Sequence, residues 1–190
     1  MNKELIRHNI LSQRESLSHE HTCALLQSVI DQLGAFDFTT IRTIHIYLPI
    51  KTKNEIDTFP VIRFLKLIKP DMRIVIPRSN LKTFEMQNVV YDGRTILSEN
   101  NYGIWEPVNG EVVPYEEIDM VVCPLLTFDR RGYRVGYGKG FYDRFLIQCR
   151  KDVIKFGLSY FEPIENIDDV DSHDVKLNYA ISPSKLWKFE

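Results

Sequence analysis

The chain has 190 residues, of which 44% are hydrophobic and 26% are charged, and its formal net charge is −2. These values are typical of an ordinary soluble globular protein and argue against a general nucleic-acid binder, whose surface would be broadly basic. No run of about 18 apolar residues is present and the charged N-terminus lacks a signal-peptide core, so we expect neither a membrane span nor secretion. The three widely spaced cysteines favour reduced thiols in the cytoplasm. The length favours one domain over residues 1–190.

Two helices are predicted between residues 2 and 35, because apolar residues recur there at helical spacing. The first carries Lys3 and Arg7, which stand four residues apart and therefore project from the same face. Such a pair forms either a solvated surface or part of a binding site, and the pattern alone leaves both interpretations open. The second helix begins after Ser18, a favoured N-cap residue, and ends before Gly34.

A strand is predicted over residues 43–49, which are rich in β-branched and aromatic residues. It leads into a polar loop that contains Ile50 and Glu55, beyond the carboxyl end of the strand. Because loops in this position often carry binding residues, Glu55 is either a ligand-binding acid or a surface acid that precedes the next helix. That helix is predicted over residues 59–68, and Asp57 is its expected N-cap.

The alternation of strands and helices along the rest of the chain predicts an α/β fold. Further strands are predicted at residues 73–77, 84–90, 118–124, 154–159 and 177–181. Near-continuous apolar runs, such as MVVCP, argue for a mainly parallel sheet that is covered by helices on both faces. In such sheets ligands bind beyond the carboxyl ends of the strands. The loops at 50–55 and 102–107 and a glycine-rich loop would all lie at that edge.

The glycine-rich loop belongs to residues 127–146, which read TFDRRGYRVGYGKGFYDRFL. A strand, a glycine loop and a helix in this order turn backbone amides and a helix N-terminus toward a phosphate. The glycines are Gly136, Gly138 and Gly140. Lys139 adds a point charge among them, and Arg134 adds a planar fork that suits phosphate oxygens. The pattern is neither a Walker A motif nor a dinucleotide fingerprint, so taken alone it also fits a flexible turn.

Two aspartates are candidate magnesium ligands, because Mg²⁺ is usually held by one or two carboxylates together with phosphate oxygens. Asp143 lies in the first turn of the helix after the glycine loop, where it would also be a simple N-terminal helix acid. Asp174 precedes the last predicted strand, within an acidic segment at 165–174 that would otherwise be a solvated loop. His173 beside it is expected to be a surface histidine, and no histidine has the spacing of a zinc site.

The glycine-loop segment closely resembles the signature of the 5-formyltetrahydrofolate cyclo-ligase family, also called methenyltetrahydrofolate synthetase. Other stretches occur in that family's order, namely Lys3-x-x-Ile6-Arg7, Glu55-Ile56-Asp57-Thr58, Pro77-Arg78, Gly103-Ile104-x-Glu106-Pro107 and His173-Asp174. The resemblance therefore covers nearly the whole chain. It implies a three-layer α/β/α sandwich, which agrees with the sheet argued above.

The resemblance implies ATP-dependent cyclisation of 5-formyltetrahydrofolate to 5,10-methenyltetrahydrofolate, with magnesium required and ADP and phosphate released. The ATP-binding positions that it implies are Lys3, Arg7, Arg134, Val135, Gly136, Tyr137, Gly138, Lys139, Gly140, Phe141 and Tyr142. The substrate-binding positions are Ile50 and Glu55, with Tyr137 and Lys139 lining the same pocket, and the metal positions are Asp143 and Asp174. Phe141 stands where many family members have tyrosine. We expect reduced folate and ATP as partners, no nucleic acid, no membrane, and a monomer.

In the family mechanism the formyl oxygen attacks the terminal phosphate to give an iminium phosphate, and a neighbouring amine closes the ring as phosphate leaves. We expect Arg134 and Lys139, as the catalytic residues, to stabilise charge on the moving phosphoryl group together with the metal. Trp105 or Tyr102 is our own candidate for an apolar wall against the pterin ring. Two rival functions are a sugar-phosphate isomerase or deaminase, which would need neither ATP nor magnesium, and a non-catalytic nucleotide-binding regulator.

Overall fold

The computed structural model describes residues 1–80, 82–100 and 103–190. Its α-helices are α1 (Lys3–Glu15), α2 (His19–Leu33), α3 (Thr58–Ile68) and α4 (Phe141–Gln148). The first three begin after Asn2, Ser18 and Asp57, whose side chains accept hydrogen bonds from backbone amides of the first turn. Helix α4 differs, because its N-cap is Gly140 and no side chain caps it. Its first amides therefore stay available to a ligand.

An eight-stranded sheet forms the centre of the described chain. Its strands are β1 (Thr43–Ile46), β2 (Arg73–Asn80), β3 (Glu85–Val90), β6 (Val112–Val113), β7 (Met120–Cys123), β10 (Ile154–Leu158), β11 (Tyr179–Ile181) and β12 (Leu186–Lys188). The spatial order is β12-β11-β10-β7-β1-β2-β3-β6. The five strands from β11 to β2 pair in parallel, whereas β12, β3 and β6 pair antiparallel at the two edges.

The side chains of the central strands alternate between two apolar layers. In β7, Met120 and Val122 pack in the cluster that also holds α2 and α3, while Val121 and Cys123 pack in the cluster that holds α4. Because helices cover both faces of a sheet whose core is parallel, the three-layer α/β/α sandwich predicted from the sequence is confirmed. The exposed position of His173 also agrees with the sequence analysis.

Two small two-stranded sheets lie outside the main sheet. One pairs β4 (Leu97–Glu99) with β5 (Trp105–Pro107), and the other pairs β8 (Thr127–Phe128) with β9 (Arg134–Val135). The turn between β8 and β9 contains Gly132 at φ +89°, and a Cβ atom at this glycine would lie 2.8 Å from the Phe189 ring. This turn is therefore closed tightly against the end of the chain.

The two N-terminal helices, the helix after Asp57 and the principal strands are found where the sequence predicts them, with boundaries shifted by a few residues. The strand predicted at 43–49 ends at Ile46, and the strand predicted at 73–77 extends to Asn80. The short strands β4, β5, β6, β8, β9 and β12 were not predicted. Tyr102, one of the two candidates for an apolar wall, lies outside the described residues. Within the described ranges no helix is long and apolar enough to cross a membrane.

Candidate active site

A cavity of about 720 Å³ opens beyond the carboxyl ends of β1, β2 and β7. This is the edge at which ligands bind in parallel sheets. Fourteen of the predicted site residues line it, namely Lys3, Arg7, Ile50, Glu55, Arg134, Gly136, Tyr137, Gly138, Lys139, Gly140, Phe141, Tyr142, Asp143 and Asp174. Segments that are far apart in the sequence therefore form one site.

The glycine loop adopts a backbone conformation that residues with a Cβ atom disfavour. Gly138 and Gly140 have φ values of +87° and +64°, which lie in the left-handed region that favours glycine. A Cβ atom at Gly138 would lie 3.3 Å from the Arg7 guanidinium, whose Nε donates a hydrogen bond to the Gly136 carbonyl at 2.9 Å. The loop and helix α1 are thus in direct contact, and the loop backbone forms one wall of the cavity.

Four cationic side chains surround this wall, and two of them are held by carboxylates. The Arg134 guanidinium donates to Asp143 Oδ1 at 2.8 Å and to the Val175 carbonyl, and its side chain is only 6% exposed. Lys3 forms an ion pair with Asp174. Arg7 contacts the loop as described, and Lys139 is exposed. This arrangement concentrates positive charge where a polyphosphate would meet the loop amides.

Asp143 and Asp174 fit the requirements of a magnesium site that is completed by phosphate. Asp143 uses Oδ1 for Arg134 and for the Val175 amide, and Asp174 uses Oδ2 for Lys3 and for the Asp171 amide. The second oxygen of each carboxylate forms no hydrogen bond within the described part of the chain, and both residues line the cavity. That part of the chain contains no group of three or more His, Cys, Asp or Glu residues that could hold a metal ion. Mg²⁺ needs only one or two carboxylates beside phosphate oxygens.

Glu55 is buried in the wall of the cavity and is 8% exposed. Its Oε2 accepts a hydrogen bond from the Ile50 amide at 2.7 Å, and its Oε1 accepts one from the Tyr137 hydroxyl at 2.8 Å. Burial raises the pKa of Glu55, while these two hydrogen bonds and the charge of Arg14 act in the opposite direction. Of the two interpretations left open by the sequence, the structure excludes a surface acid.

Apolar and aromatic side chains cover most of the rest of the cavity wall, which also includes Lys53 and Ser79. The apolar and aromatic residues are Tyr47, Leu48, Pro77, Phe84, Met86, Ile104, Pro124, Phe141 and Tyr142. Such a surface suits a flat ring, whereas the buried carboxylate within it would accept hydrogen bonds from ring N–H groups.

Two predicted site residues do not line the cavity. Trp105 packs its side chain against the main core cluster, and its neighbour Ile104 lines the cavity instead. Side chains of an extended segment alternate between opposite faces, so a shift of one residue exchanges the two. Val135 is 0% exposed and packs with Ile6 and Ile10, so its side chain is a core residue rather than an ATP contact.

A buried histidine that the sequence analysis did not single out contacts a residue of the cavity wall. His45 in β1 is fully buried; its Nδ1 lies 2.8 Å from Asn88 Oδ1 and its Nε2 lies 3.1 Å from the Tyr142 hydroxyl. Because Asn88 Nδ2 donates to the Val113 carbonyl, its Oδ1 faces the imidazole and accepts from Nδ1. Nε2 then accepts from Tyr142. Burial lowers the pKa of His45 to about 4, so the imidazole is neutral.

Arg14 was also missed, although the sequence contained a signal for it. It follows Ile6 and Ile10 at steps of four residues, so it continues the apolar face of α1, and all three side chains are buried. A cation on that face must be hydrogen-bonded inside the protein. The Tyr137 hydroxyl connects it to the glycine loop, and its other partner is the Leu125 carbonyl.

Comparison with known proteins identifies the family of the chain. The model of the 5-formyltetrahydrofolate cyclo-ligase family matches residues 1–183. A 5-formyltetrahydrofolate cyclo-ligase of Mycoplasma pneumoniae is 31% identical over 186 residues, covering 96% of this chain and 99% of that protein. One from Escherichia coli K12 is 30% identical over 142 residues, covering 71% of this chain and 75% of that protein.

A solved structure is similar over the full length. The NMR structure of Aquifex aeolicus 5,10-methenyltetrahydrofolate synthetase has a TM-score of 0.83 and 28% sequence identity, and the match covers 100% of this chain and 94% of that chain. The fold, the residues that line the cavity and these similarities all agree with the signature in the glycine loop. The chain is therefore an enzyme that belongs to the 5-formyltetrahydrofolate cyclo-ligase family.

Proposed function

We propose that this enzyme converts 5-formyltetrahydrofolate to 5,10-methenyltetrahydrofolate in a reaction that consumes ATP and requires magnesium. The observation that carries the proposal is the composition of one cavity, in which a cationic glycine loop faces a buried carboxylate set in an apolar wall. The first part suits a polyphosphate and the second suits a pterin ring. Such a cavity can therefore hold both substrates beside each other.

The phosphates of ATP would bind the glycine loop. Backbone amides of the loop and of the first turn of α4 would contact phosphate oxygens, because Gly140 leaves that turn uncapped. Lys3 and Arg7 would reach the nucleotide from α1. Arg134 and Lys139 would stabilise the charge that develops on the terminal phosphoryl group during transfer.

Asp143 and Asp174 would hold Mg²⁺ through the carboxylate oxygens that form no hydrogen bond with any described residue. When bound, the ion would neutralise part of the charge of the ATP phosphates. The Lys3–Asp174 ion pair connects this metal position to the proposed ATP contacts, so both ligands would draw on one group of residues.

The reduced folate would bind on the other side of the cavity. Glu55 would accept hydrogen bonds from the pterin ring, and Ile50 beside it would line the same pocket. Ile104, rather than Trp105, would contribute to the apolar wall. This placement would direct the N5-formyl group of the folate toward the phosphate end of the cavity.

The chemistry follows from the weakness of a formamide as an electrophile. The formyl oxygen would attack the terminal phosphorus of ATP, which forms a new O–P bond and releases ADP. The folate's neighbouring amine nitrogen would then add to the activated carbon and lose its proton. The C–O bond breaks as phosphate leaves, and the ring closes. No covalent bond to the protein is required, so the enzyme would act by positioning and charge stabilisation.

The experiment that tests the proposal is a spectroscopic assay with purified protein. 5-Formyltetrahydrofolate, ATP and magnesium together should give the absorbance of the methenyl product, with one phosphate released for each ring closed. Omission of ATP or chelation of magnesium should abolish the signal. Absence of product under the complete conditions would refute the proposal. A sugar-phosphate isomerase would not respond to ATP, and a nucleotide-binding regulator would bind ATP without forming product.

The other expectations from the sequence, namely one domain, a monomer and a cytoplasmic location, stay predictions.

A further inference from the structure

Arg14 is a fully buried arginine whose hydrogen bonds lead toward the cavity. Its side chain is 1% exposed. One terminal nitrogen donates to the Leu125 carbonyl, just beyond β7, and the other donates to the Tyr137 hydroxyl at 3.3 Å. Its Nε is buried and has no hydrogen-bond partner within the described part of the chain. Burial of a charged group costs free energy, so we expect this side chain to have a role besides the packing of α1.

The Tyr137 hydroxyl connects Arg14 to Glu55. It accepts a hydrogen bond from Arg14 and donates one to Glu55 Oε1 at 2.8 Å. Burial and the neighbouring Glu55 charge raise the pKa of Tyr137, so the hydroxyl keeps the proton that it donates. The backbone provides a second connection, because Asn54 Nδ2 donates to the Arg14 carbonyl at 2.7 Å. The Arg14 side chain therefore contacts the Glu55 carboxylate through Tyr137, while the backbone of α1 at this position also binds the loop that carries Glu55.

Arg14 supplies the positive charge that acts on Glu55, in addition to the hydrogen bonds from Ile50 and Tyr137. The titratable groups that face its carboxylate are Tyr47 from the end of β1, Tyr137 from the glycine loop and Tyr142 from α4. All three are tyrosines, and a fourth, Tyr160 in the loop after β10, donates to the Glu55 backbone carbonyl at 3.5 Å. Lys53, which also lines the cavity, is exposed to solvent. Among the described residues around Glu55, Arg14 is the one that combines a fixed positive charge with burial, where charges interact strongly.

We propose that Arg14 is a positioning residue that acts through Tyr137 to keep the Glu55 carboxylate charged and oriented for the ring of the reduced folate. The inference rests on the proposed function, because it assigns the buried carboxylate to folate. A carboxylate whose two oxygens are each fixed by one protein donor keeps its remaining lone pairs directed at a planar edge of N–H groups. Arg14 itself touches neither substrate.

The kinetic test uses Arg14→Met, which removes the charge and retains a long side chain. The KM for 5-formyltetrahydrofolate should rise by about tenfold or more, because a misoriented carboxylate loses a charge-assisted hydrogen bond to the folate ring. The acid limb of the pH profile of kcat/KM for folate should move to higher pH, whereas the KM for ATP should stay within about twofold of the wild-type value. Gln13→Met, at an exposed position of the same helix, serves as the control.

A double mutant separates this role from a purely structural one. In a Glu55→Gln background, Arg14→Met should have little further effect on the KM for folate, since no carboxylate remains to be held. Equal losses in both backgrounds, or an unmoved acid limb, would overturn the inference. Tyr137→Phe keeps the arginine and the aromatic ring, so it tests the same connection if Arg14→Met does not fold.

An NMR titration of the Glu55 carboxyl carbon makes the result independent of turnover. In Tyr137→Phe the pKa of Glu55 should be higher than in the wild type, because a donated hydrogen bond is lost. If this shift is seen in a protein without cyclisation activity, the proposed function fails while the coupling stands. If activity is present and the titration is unchanged, the coupling is wrong.

Discussion

Replacement of His45 by glutamine should change how the stability of this protein depends on pH. His45 is completely buried between Asn88 and Tyr142, and burial lowers the pKa of the imidazole from 6.5 to about 4, partly offset by the Asn88 hydrogen bond. In the unfolded chain the histidine recovers its ordinary pKa. Protons therefore bind preferentially to the unfolded state, and acid should destabilise the wild type through this residue. Glutamine is neutral throughout and removes the effect.

The magnitude follows from the two pKa values. The contribution of neutral His45 is fully present above about pH 6.5 and is lost as the pH falls through the folded value of about 4. At pH 5 the loss amounts to about 2 kcal/mol, and below both pKa values it approaches about 3 kcal/mol. The carboxylates that also titrate in this range are the same in both proteins. Their effects cancel in the difference between wild type and variant.

Urea unfolding of the wild type and His45→Gln at several pH values between 8 and 5 measures the difference. The free energy of unfolding of the wild type, minus that of the variant, should fall by about 2 kcal/mol over this interval. His21→Gln, at an exposed position of α2, should leave the wild-type pH dependence in place. A difference that stays constant within about 0.5 kcal/mol would refute the reasoning, because His45 would not then be held neutral by burial.

Three further predictions concern the glycine loop, the metal and a turn. Lys139→Ala should lower kcat/KM for ATP by roughly a hundredfold, since it removes a cation from the phosphoryl group. Wild-type kinetics would show that Lys139 is not part of the site. Lys151→Ala, at an exposed position away from the cavity, is the matched control. Asp143→Asn should raise the magnesium concentration needed for half-maximal rate by about tenfold or more, and an unchanged titration would leave Asp143 with a structural role only. Gly132→Ala should destabilise the protein by at least about 1–2 kcal/mol in thermal or urea unfolding, since alanine disfavours a positive φ; a change as small as that of Gly93→Ala, which has open space around it, would contradict this.

The parts of the fold that the sequence predicted are those with long, regular patterns. Helices α1 and α2 and the central parallel strands have continuous apolar spacing, and the glycine loop has an uncommon composition. The short strands were missed because two or three residues are too few to show a period of two. β6 (Val112–Val113) and β12 (Leu186–Lys188) also lie at the edges of the sheet, where only one neighbour is present to fix a strand.

The sequence predicted the candidate site best in the glycine loop, where cationic residues and glycines occur together. A single sequence could not decide whether Lys3 and Arg7 face solvent or a ligand, because that depends on the docking of α1 against the loop. The position of Glu55 depended in the same way on its buried partners. Trp105 is a candidate for the apolar wall by residue type, but side chains alternate along this segment and Ile104 lines the cavity instead. Arg14 was overlooked because an arginine on a helix is usually exposed, although its spacing from Ile10 placed it on the apolar face.

Because α1 carries several of the proposed binding residues, its docking against the rest of the protein determines whether the cavity is complete. Ile6 and Ile10 are its buried apolar side chains, while Lys3, Arg7 and Arg14 attach it to the neighbouring loops by an ion pair and hydrogen bonds. Undocking of this one helix would release the proposed nucleotide contacts and Arg14 together. The two halves of the cavity would lose function in a single local opening event, without global unfolding. ATP should accordingly slow hydrogen exchange in α1, since a nucleotide that contacts both this helix and the glycine loop would stabilise the docked state of the helix.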